Sequence, residues 1–416
     1  MCYYFVRVII LKFLEDVAKE KYQSFTSNHE KSHFLQSYEW GEFCKKIKGQ
    51  TPHYVGMTDD NDQLVATALI LERKTPLGFS YGYAPRGFII DYTNKELIKK
   101  FTEYLKEYMK KNKFIYIKFD PDIPYQDIDQ DANPIEGGNN NYELYNYMLS
   151  LGYIHTGFYR LYEGNQPRYT FRIDLKRDWD VIESRMSKSF LQSVKRSYQY
   201  DLEIDNEIKI KEFYKLIKNT SERDGFNPHD EKYYETLVDE FKDNIKFFNV
   251  TIDIKKMMTK IKEELKDLKD NIASVNKKKL ADYNDKIKRL EKEQDLFSKY
   301  PEEKRVICII ICISTKNRIW SFFQGGDELA GATCAVMRCY YEAIKDAFNK
   351  GYDFFDLFGT PGDPHTTYKN LAKLHDFKRK YGDKYIEFIG EFDLVNKKIL
   401  YKMLPTLLGI YRKLRR

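Results

Sequence analysis

RIWSFFQGGDELAGATCAVMRCYYEAIKDAFNKGYDFFDL, Arg318 to Leu357, is the stretch that decides the fold. Arg318–Phe323 reads as a strand, Gly325-Gly326 as a turn, Ala332–Asn349 as a long helix and Tyr352–Leu357 as the next strand. The same order occurs earlier, over Phe79–Phe119. There, strands Phe79–Tyr83 and Phe88–Asp91 flank a turn at Pro85-Arg86-Gly87. A helix over Glu96–Lys111 turns Leu97, Phe101, Tyr104, Leu105 and Tyr108 inward, and strand Phe114–Phe119 ends at Asp120-Pro121. Two copies of one α/β module follow from this repeat.

The chain has 416 residues, 42% of them hydrophobic and 32% charged, which suits two domains with substantial cores. Its net charge of +7 is mild, so any basic surface is local. No apolar run approaches the ~18 residues of a membrane helix. The longest, Val306–Ile313, reads as a buried strand. The six cysteines (Cys2, Cys44, Cys308, Cys312, Cys334 and Cys339) form no CxxC pair and no Cys/His finger; Cys308 and Cys312, four apart on one face of an apolar strand, read as reduced core cysteines, with a metal pair as the alternative. Met1–Leu11 is apolar but no small-residue cleavage site follows it, so a cytoplasmic protein is expected. Met1–Ile10 reads either as a mis-set start or as a short edge strand.

Outside the repeat, Ser37–Lys48 is an amphipathic helix, and His53–Thr58 and Leu64–Leu71 form a hairpin across Asp59-Asp60-Asn61-Asp62. Ile123–Asn141 reads as a loop and Tyr142–Leu151 as a helix. Further helices are expected over Trp179–Met186, Phe190–Tyr200, Lys211–Asp224 and Glu231–Lys242, with strands at Phe247–Ile252 and Val306–Ser314. Between those strands, Ile254, Met258, Ile261, Leu265, Leu268, Ile272 and Val275 alternate in steps of four and three, a heptad seam. Asn276-Lys277-Lys278-Lys279 breaks it, and Leu280, Tyr283, Ile287 and Leu290 resume it. This predicts an antiparallel helical hairpin about 30 Å long. Lys255 to Lys299 carry 14 basic and 9 acidic residues, most of the chain's net charge. Two readings stand: a solvated coiled coil, or a projecting basic arm that grips a polyanion.

A Walker loop, a GxSxG elbow and an HExxH motif are all missing. Gln324-Gly325-Gly326-Asp327-Glu328-Leu329 departs from the acetyltransferase CoA loop, since Asp327 stands where glycine is required. The glycines still offer an anion cradle before a helix.

Taken in order, several motifs resemble the FemABX peptidyltransferases, which build peptidoglycan cross-bridges from aminoacyl-tRNA. They are Phe34-Leu35-Gln36-Ser37-Tyr38-Glu39-Trp40-Gly41, Tyr83-Ala84-Pro85-Arg86-Gly87 with Asp91-Tyr92, Ile117-Lys118-Phe119-Asp120-Pro121 and Arg223-Asp224-Gly225-Phe226. The C-terminal ones are Tyr352 to Gly359, Leu374 to Gly382 and Gly390 to Val395. The resemblance implies two tandem acetyltransferase-like (GNAT) modules with an inserted coiled-coil hairpin, an α/β (α+β) fold. It places the first module at 11–162, the second at 163–252 and 304–395, the arm at 253–303 and a basic tail at 396–416. In family members with such an arm, the arm resembles the tRNA-binding arm of seryl-tRNA synthetase, which assigns Lys277, Lys278 and Lys279 at its tip to tRNA.

The implied chemistry is aminolysis of the ester joining an amino acid to tRNA. Phe377-Lys378 matches the family's Phe-Lys pair. The lysine is expected beside the developing oxyanion or the terminal phosphate, and the ring against the aminoacyl end; the alternative for Lys378 is an exposed residue of a basic run. Asp120 is expected to hold or deprotonate the amine, or else to form a turn before Pro121. His229, Tyr233, Lys45, Arg86 and Arg223 are substrate-binding candidates. His229 stands where the family often has a basic residue on the pyrophosphate, and Cys44 occupies the slot of another phosphate-binding lysine, beside Lys45. Arg86 faces either that groove or a core edge. The expected function is aminoacyl transfer from aminoacyl-tRNA to the stem-peptide amine of lipid II or of a UDP-linked muropeptide precursor, with no metal or nucleotide cofactor. The rivals are a CoA-dependent GNAT acyltransferase and a non-catalytic coiled-coil scaffold. The tail Ile399–Arg416, mixing Leu404, Leu407, Leu408 and Ile410 with Arg412, Lys413, Arg415 and Arg416, reads as a peripheral contact with anionic lipid or as a docking helix.

Overall fold

A computed structural model describes residues 11–75, 78–381 and 384–414. Met1–Ile10 and Gly382 lie outside these residues.

The described residues form two mixed eight-stranded sheets. The first runs Lys12–Leu14, Thr51–Thr58, Leu64–Lys74, Ser80–Ala84, Phe114–Phe119, Phe392–Val395 and Tyr153–His155, with Ile89–Ile90 also on Leu64–Lys74. The second runs Leu202–Asp205, Ile245–Asp253, Lys304–Ser314, Arg318–Gly326, Phe354–Thr360, Tyr169–Asp174, Lys384–Phe388 and Pro124–Asp127. Each sheet contains one parallel pair: Ser80–Ala84 with Phe114–Phe119, and Arg318–Gly326 with Phe354–Thr360. The helices Lys95–Lys111 and Ala335–Asn349 make the two crossovers that parallel pairing requires. The repeated unit is therefore the centre of each module.

Within the strand Lys304–Ser314, Val306–Ile313 is apolar throughout because both its faces are covered. Ile307, Cys308, Ile310 and Cys312 face the second module's own core. Ile309, Ile311 and Ile313 face a core shared between modules, where Tyr22, Phe34, Trp40 and Phe43 meet Tyr233, Tyr234, Leu237, Phe241 and Trp320. Cys44, Cys308, Cys312, Cys334 and Cys339 are free thiols.

Four expectations are corrected. Gly325-Gly326 does not turn but continues the strand, paired with Ile309 and Cys308. A Cβ on Gly325 would lie 3.0 Å from Leu216 and Ile217, so the glycine admits the helix Ile210–Asp224 against the sheet. The helix expected over Ala332–Asn349 opens later, at Ala335, after Cys334 at φ 57°, and a separate short helix, Glu328–Ala332, precedes it. The loop Ile123–Asn141 contains the strand Pro124–Asp127, which joins the second sheet. Phe392–Val395 pairs with Phe114–Phe119 and Tyr153–His155, so the range 304–395 is not one unit and its last strand completes the first module. Apolar alternation reveals a strand but not which sheet it enters, and an uncovered Phe114–Phe119 would leave an open apolar edge.

The arm consists of helices Ile254–Asn271 and Lys277–Phe297, joined by a short 3-10 turn at Ile272–Ser274. Ile261, Leu265, Leu268, Ile287 and Leu290 fill its seam, and Lys269–Glu291 and Lys286–Glu264 pair across it, each at 2.6 Å. At the root, Met257 rather than Met258 is buried, its Sδ accepting the Asp201 N–H at 3.3 Å. There the helix packs on its own module before it meets its partner helix. Asp253 pairs with Lys304 across the sheet, so the arm leaves and re-enters at one rung of the ladder.

The tail forms the helix Lys398–Leu414 and docks on the first sheet through Tyr401 and Leu404.

Candidate active site between the modules

Beyond the ends of the parallel strands Ser80–Ala84 and Phe114–Phe119 lie Pro85-Arg86-Gly87 and Asp120. Asp120 Oδ1 accepts the Arg86 backbone N–H at 2.7 Å, and Oδ2 accepts the Tyr83 hydroxyl at 2.9 Å. This clamp holds Arg86 at φ 53°, a backbone region costly for a side chain other than glycine. Gln36, from the opening motif, donates to Pro85 O at 2.8 Å, and a Cβ on Gly87 would lie 2.7 Å from Gln36. The Arg86 guanidinium donates to Pro167 O at 2.6 Å and stacks 4.1 Å above Phe388. Burial pushes the Asp120 carboxyl up to about 7, against the pull of Arg86. With both oxygens engaged and only 3% exposed, Asp120 is placed as a holder of the turn, not as a base facing a groove.

The second module contributes the strand Phe354–Thr360, whose pairing is irregular between Asp356 and Gly359. Phe358 there takes φ 57°. Asp356 Oδ1 accepts from the Thr170 hydroxyl at 2.6 Å and the Phe358 N–H at 2.7 Å, and Oδ2 accepts from Arg172 Nε at 2.6 Å. Arg172 reaches on to Asp122 of the first module at 2.5 Å and lies over Phe354 and Phe388. Burial alone would raise the Asp122 carboxyl; Arg172 and His33 overcome it and hold it well below the usual carboxylate range.

Lys378 lies behind this bend. Its Nζ donates to Phe358 O at 3.1 Å and to Gly359 O at 2.6 Å. It is 9% exposed, so it is not a solvated member of the basic run. Burial lowers its ammonium to about 8, opposed by Asp356. Arg86, Arg172, Asp356, Gly359, Phe388 and His33 line a cavity of about 10 Å³ where the modules meet, enough for about one water. A wider cleft, about 670 Å³, lies at the arm root beside Tyr200 and Met257. Its Lys286 and Glu264 pair with each other, and Tyr200 donates to Glu293, so it offers mixed charge and no reactive cluster.

Arg86 and Lys378 thus converge on one junction, with Asp120 supporting it. Phe377 does not join them: its ring packs 5.7 Å from Tyr340 and 5.0 Å from Tyr381 in the second module's core. Lys45 stands on one helix, and His229 and the buried Tyr233 stand at the start of another. Helix Tyr38–Lys48 packs on Glu231–Phe241, and His229 stacks parallel on Tyr233 at 3.7 Å. Lys45 is exposed near Glu42, whereas Cys44 is buried and its thiol is pushed up to about 11 by burial. Burial, then Lys48, lowers the His229 imidazole, so it is a poorer cation than a free histidine. Arg223 is exposed and donates to Asp224 beside it. Asp224 O accepts from Asn370, linking that helix to the one that carries Lys378. Lys278 and Lys279 are exposed in the first turn of the arm's second helix, which opens at Lys277.

Sequence reasoning missed His33, Asp122, Thr170, Arg172 and Asp356 as site residues. Asp122 and Asp356 stand in or beside quoted motifs. A charged residue in the alternating run Tyr169–Asp174 was the available signal for Arg172. Among the described residues, no group of three or more His, Cys, Asp or Glu is placed to hold a metal. The Asp327 carboxylate itself caps the helix Glu328–Ala332 and pairs with Arg305 at 2.8 Å, filling the expected anion cradle.

Known proteins share this architecture. A crystal structure of FemX matches with a TM-score of 0.76 at 23% identity, covering 94% of this chain and 99% of that one, a likeness in fold. Aminoacyltransferase FemA of Staphylococcus aureus is 27% identical over 406 residues, covering 92% of this chain and 94% of that protein. The FemAB family matches residues 17–408, and the chain belongs to that family.

Proposed function

We propose that this chain is an aminoacyltransferase that moves an amino acid from aminoacyl-tRNA onto the stem-peptide amine of a peptidoglycan precursor, lipid II before the UDP-linked form. The family match over residues 17–408 carries this reading. The amine nitrogen bonds to the ester carbonyl carbon, the bond to the ribose oxygen breaks, and the amine's proton ends on that oxygen. The ester is already activated, so no cofactor is needed. Two of the three Lys378 N–H groups hold Phe358 O and Gly359 O. The third is left for the developing oxyanion or the terminal phosphate. Arg86 and Arg172 supply positive charge at the same junction. Lys45, His229 and Tyr233 are assigned to the acceptor's pyrophosphate end, and Lys277, Lys278 and Lys279 to tRNA. The capped helix at Asp327 weakens the CoA-dependent alternative.

The deciding experiment offers each charged tRNA of the host with purified lipid II and, separately, with the UDP-linked precursor. Transfer to lipid II from one tRNA is expected. Transfer only to the soluble precursor would reassign the acceptor, and no transfer with any tRNA, together with thermal stabilisation by acetyl-CoA, would overturn the reading.

A further inference from the structure

We propose that the outward face of the C-terminal helix rests on the headgroup layer of an anionic lipid bilayer. The root of the helix is firmly held. Asn396 Nδ2 donates to Phe114 O at 2.9 Å and to Met109 O at 3.3 Å. Tyr401 donates to Asp393 at 2.7 Å and meets the Tyr116 ring edge-on at 5.2 Å, while Leu404 is 5% exposed. These contacts fix which side of Lys398–Leu414 faces the sheet. They leave Ile399 and Met403, one turn apart, 75% and 47% exposed. Single exposed apolar residues are ordinary, but Ile399 is the most exposed large hydrophobic among the described residues and has a companion on the same stripe. Lys398 and Lys402 are exposed beside them.

Charge selects the occupant. From Lys397 to Arg416 the chain carries seven basic residues and no acidic one, a charge equal to the net +7 of the whole protein. A second copy would bring like charge against like. A polynucleotide would satisfy the lysines and arginines but leave Ile399 and Met403 wet. An anionic bilayer meets both demands at once: apolar side chains enter the boundary of the acyl region while basic ones stay among the headgroups. Among the described residues no helix is long and apolar enough to cross a membrane, so the contact lies on the surface.

The test uses the full chain and co-sedimentation with vesicles of phosphatidylcholine alone, or of phosphatidylcholine with phosphatidylglycerol, at low and high salt. Binding to the anionic vesicles alone, weakened by salt, is expected. The double variant Ile399→Asp/Met403→Asp should bind about tenfold less, and Lys398→Glu/Lys402→Glu should lose binding chiefly at low salt. Thermal melting and transfer to the soluble precursor should be unchanged in both, since neither pair touches the junction of the modules. Wild-type binding by the Asp variant, or equal binding to both vesicle types, overturns the proposal. So does a dimer in solution that the Asp variant dissolves, which would make this face a contact between copies. The vesicle assay reads binding alone, so its failure leaves the transfer reading standing.

Discussion

At the scale of single residues, burial has moved Lys378 and Asp120 of the junction toward neutrality, while the charges around Asp122 keep it ionised. Lys378 is charged below about 8 and holds the two carbonyls of the Phe358 bend. If that charge acts mainly in the transition state, Lys378→Met should lower kcat about 10²-fold, or about 3 kcal/mol, with a smaller change in KM. Two opposing effects then limit the change in stability. Two carbonyls lose their donor, but the cost of burying a cation disappears. Steady-state kinetics on Lys378→Met, Arg379→Met and Lys380→Met checks this, and equal losses in all three would reduce the run to a general electrostatic patch. Asp120 separates two roles differently. Asp120→Asn keeps an acceptor for the Arg86 N–H and should retain transfer within a few-fold. Asp120→Ala should cost about 1–3 kcal/mol by orphaning the Arg86 N–H and the Tyr83 hydroxyl. An Asn variant with a normal melt and no turnover would restore Asp120 as the base. His375 is fully buried, its ring nitrogens have no hydrogen-bond partner among the described residues, and it packs 5.2 Å from both Phe171 and Tyr385. Burial, then Arg379, lowers its pKa, so the unfolded chain binds its proton first. Stability should therefore fall as pH drops below about 6.5. His33 is shifted the same way and remains in both proteins, so the readout is a difference. Urea unfolding at pH 7 and pH 5 should show a smaller acid loss for His375→Leu than for the wild type.

At the scale of elements, what was legible followed from burial on one side. The helix Tyr38–Lys48, the crossover Lys95–Lys111 and the arm all bury a single stripe, and a stripe at helical spacing is visible in sequence. Tyr169–Asp174 was not legible: it sits inside a sheet and carries Arg172, whose charge masks the apolar pattern. Gly325-Gly326 misled for the opposite reason. Paired glycines signal a turn, but here they are spacers under a packed helix, a contact that no local rule encodes. Because the arm enters and leaves at one rung, changes at its far end should not reach the sheets. Replacing Lys277, Lys278 and Lys279 with Glu should therefore weaken tRNA binding and flatten its salt dependence while the melt stays put. Filter binding at two salt concentrations reads the slope directly, and an unchanged affinity at both would remove the tip from the tRNA interface.

At the scale of the whole molecule, the repeat read from sequence suggested two modules in tandem, but the chain ties them together in both directions. Pro124–Asp127 leaves the first module to extend the second sheet, and Phe392–Val395 returns from the far end of the chain to complete the first. Phe392 and Leu394 are 0% and 1% exposed, with Phe392 stacked on Phe119 at 5.6 Å. Beside them the half-buried Lys118 is held between Glu391 and Asp393, at 2.9 and 3.0 Å. Ending the chain after Gly390 would strip two large core side chains and take both acids from Lys118. Each large-to-small core loss costs about 2–5 kcal/mol, and breaking a buried ion pair about 3–5. Together these approach the 5–15 kcal/mol that holds an ordinary domain. The first module should therefore fail to fold without the last strand, although hundreds of residues separate them in sequence. A milder variant tests the same coupling in a protein that still folds. Leu394→Ala should lower stability by about 2–5 kcal/mol, and thermal unfolding should remain a single transition, because neither sheet can lose its borrowed strand while the other stays intact. Calorimetry decides it: a calorimetric enthalpy equal to the van't Hoff value is expected, whereas two separated transitions in Leu394→Ala, only the earlier one shifted, would show that the modules unfold independently.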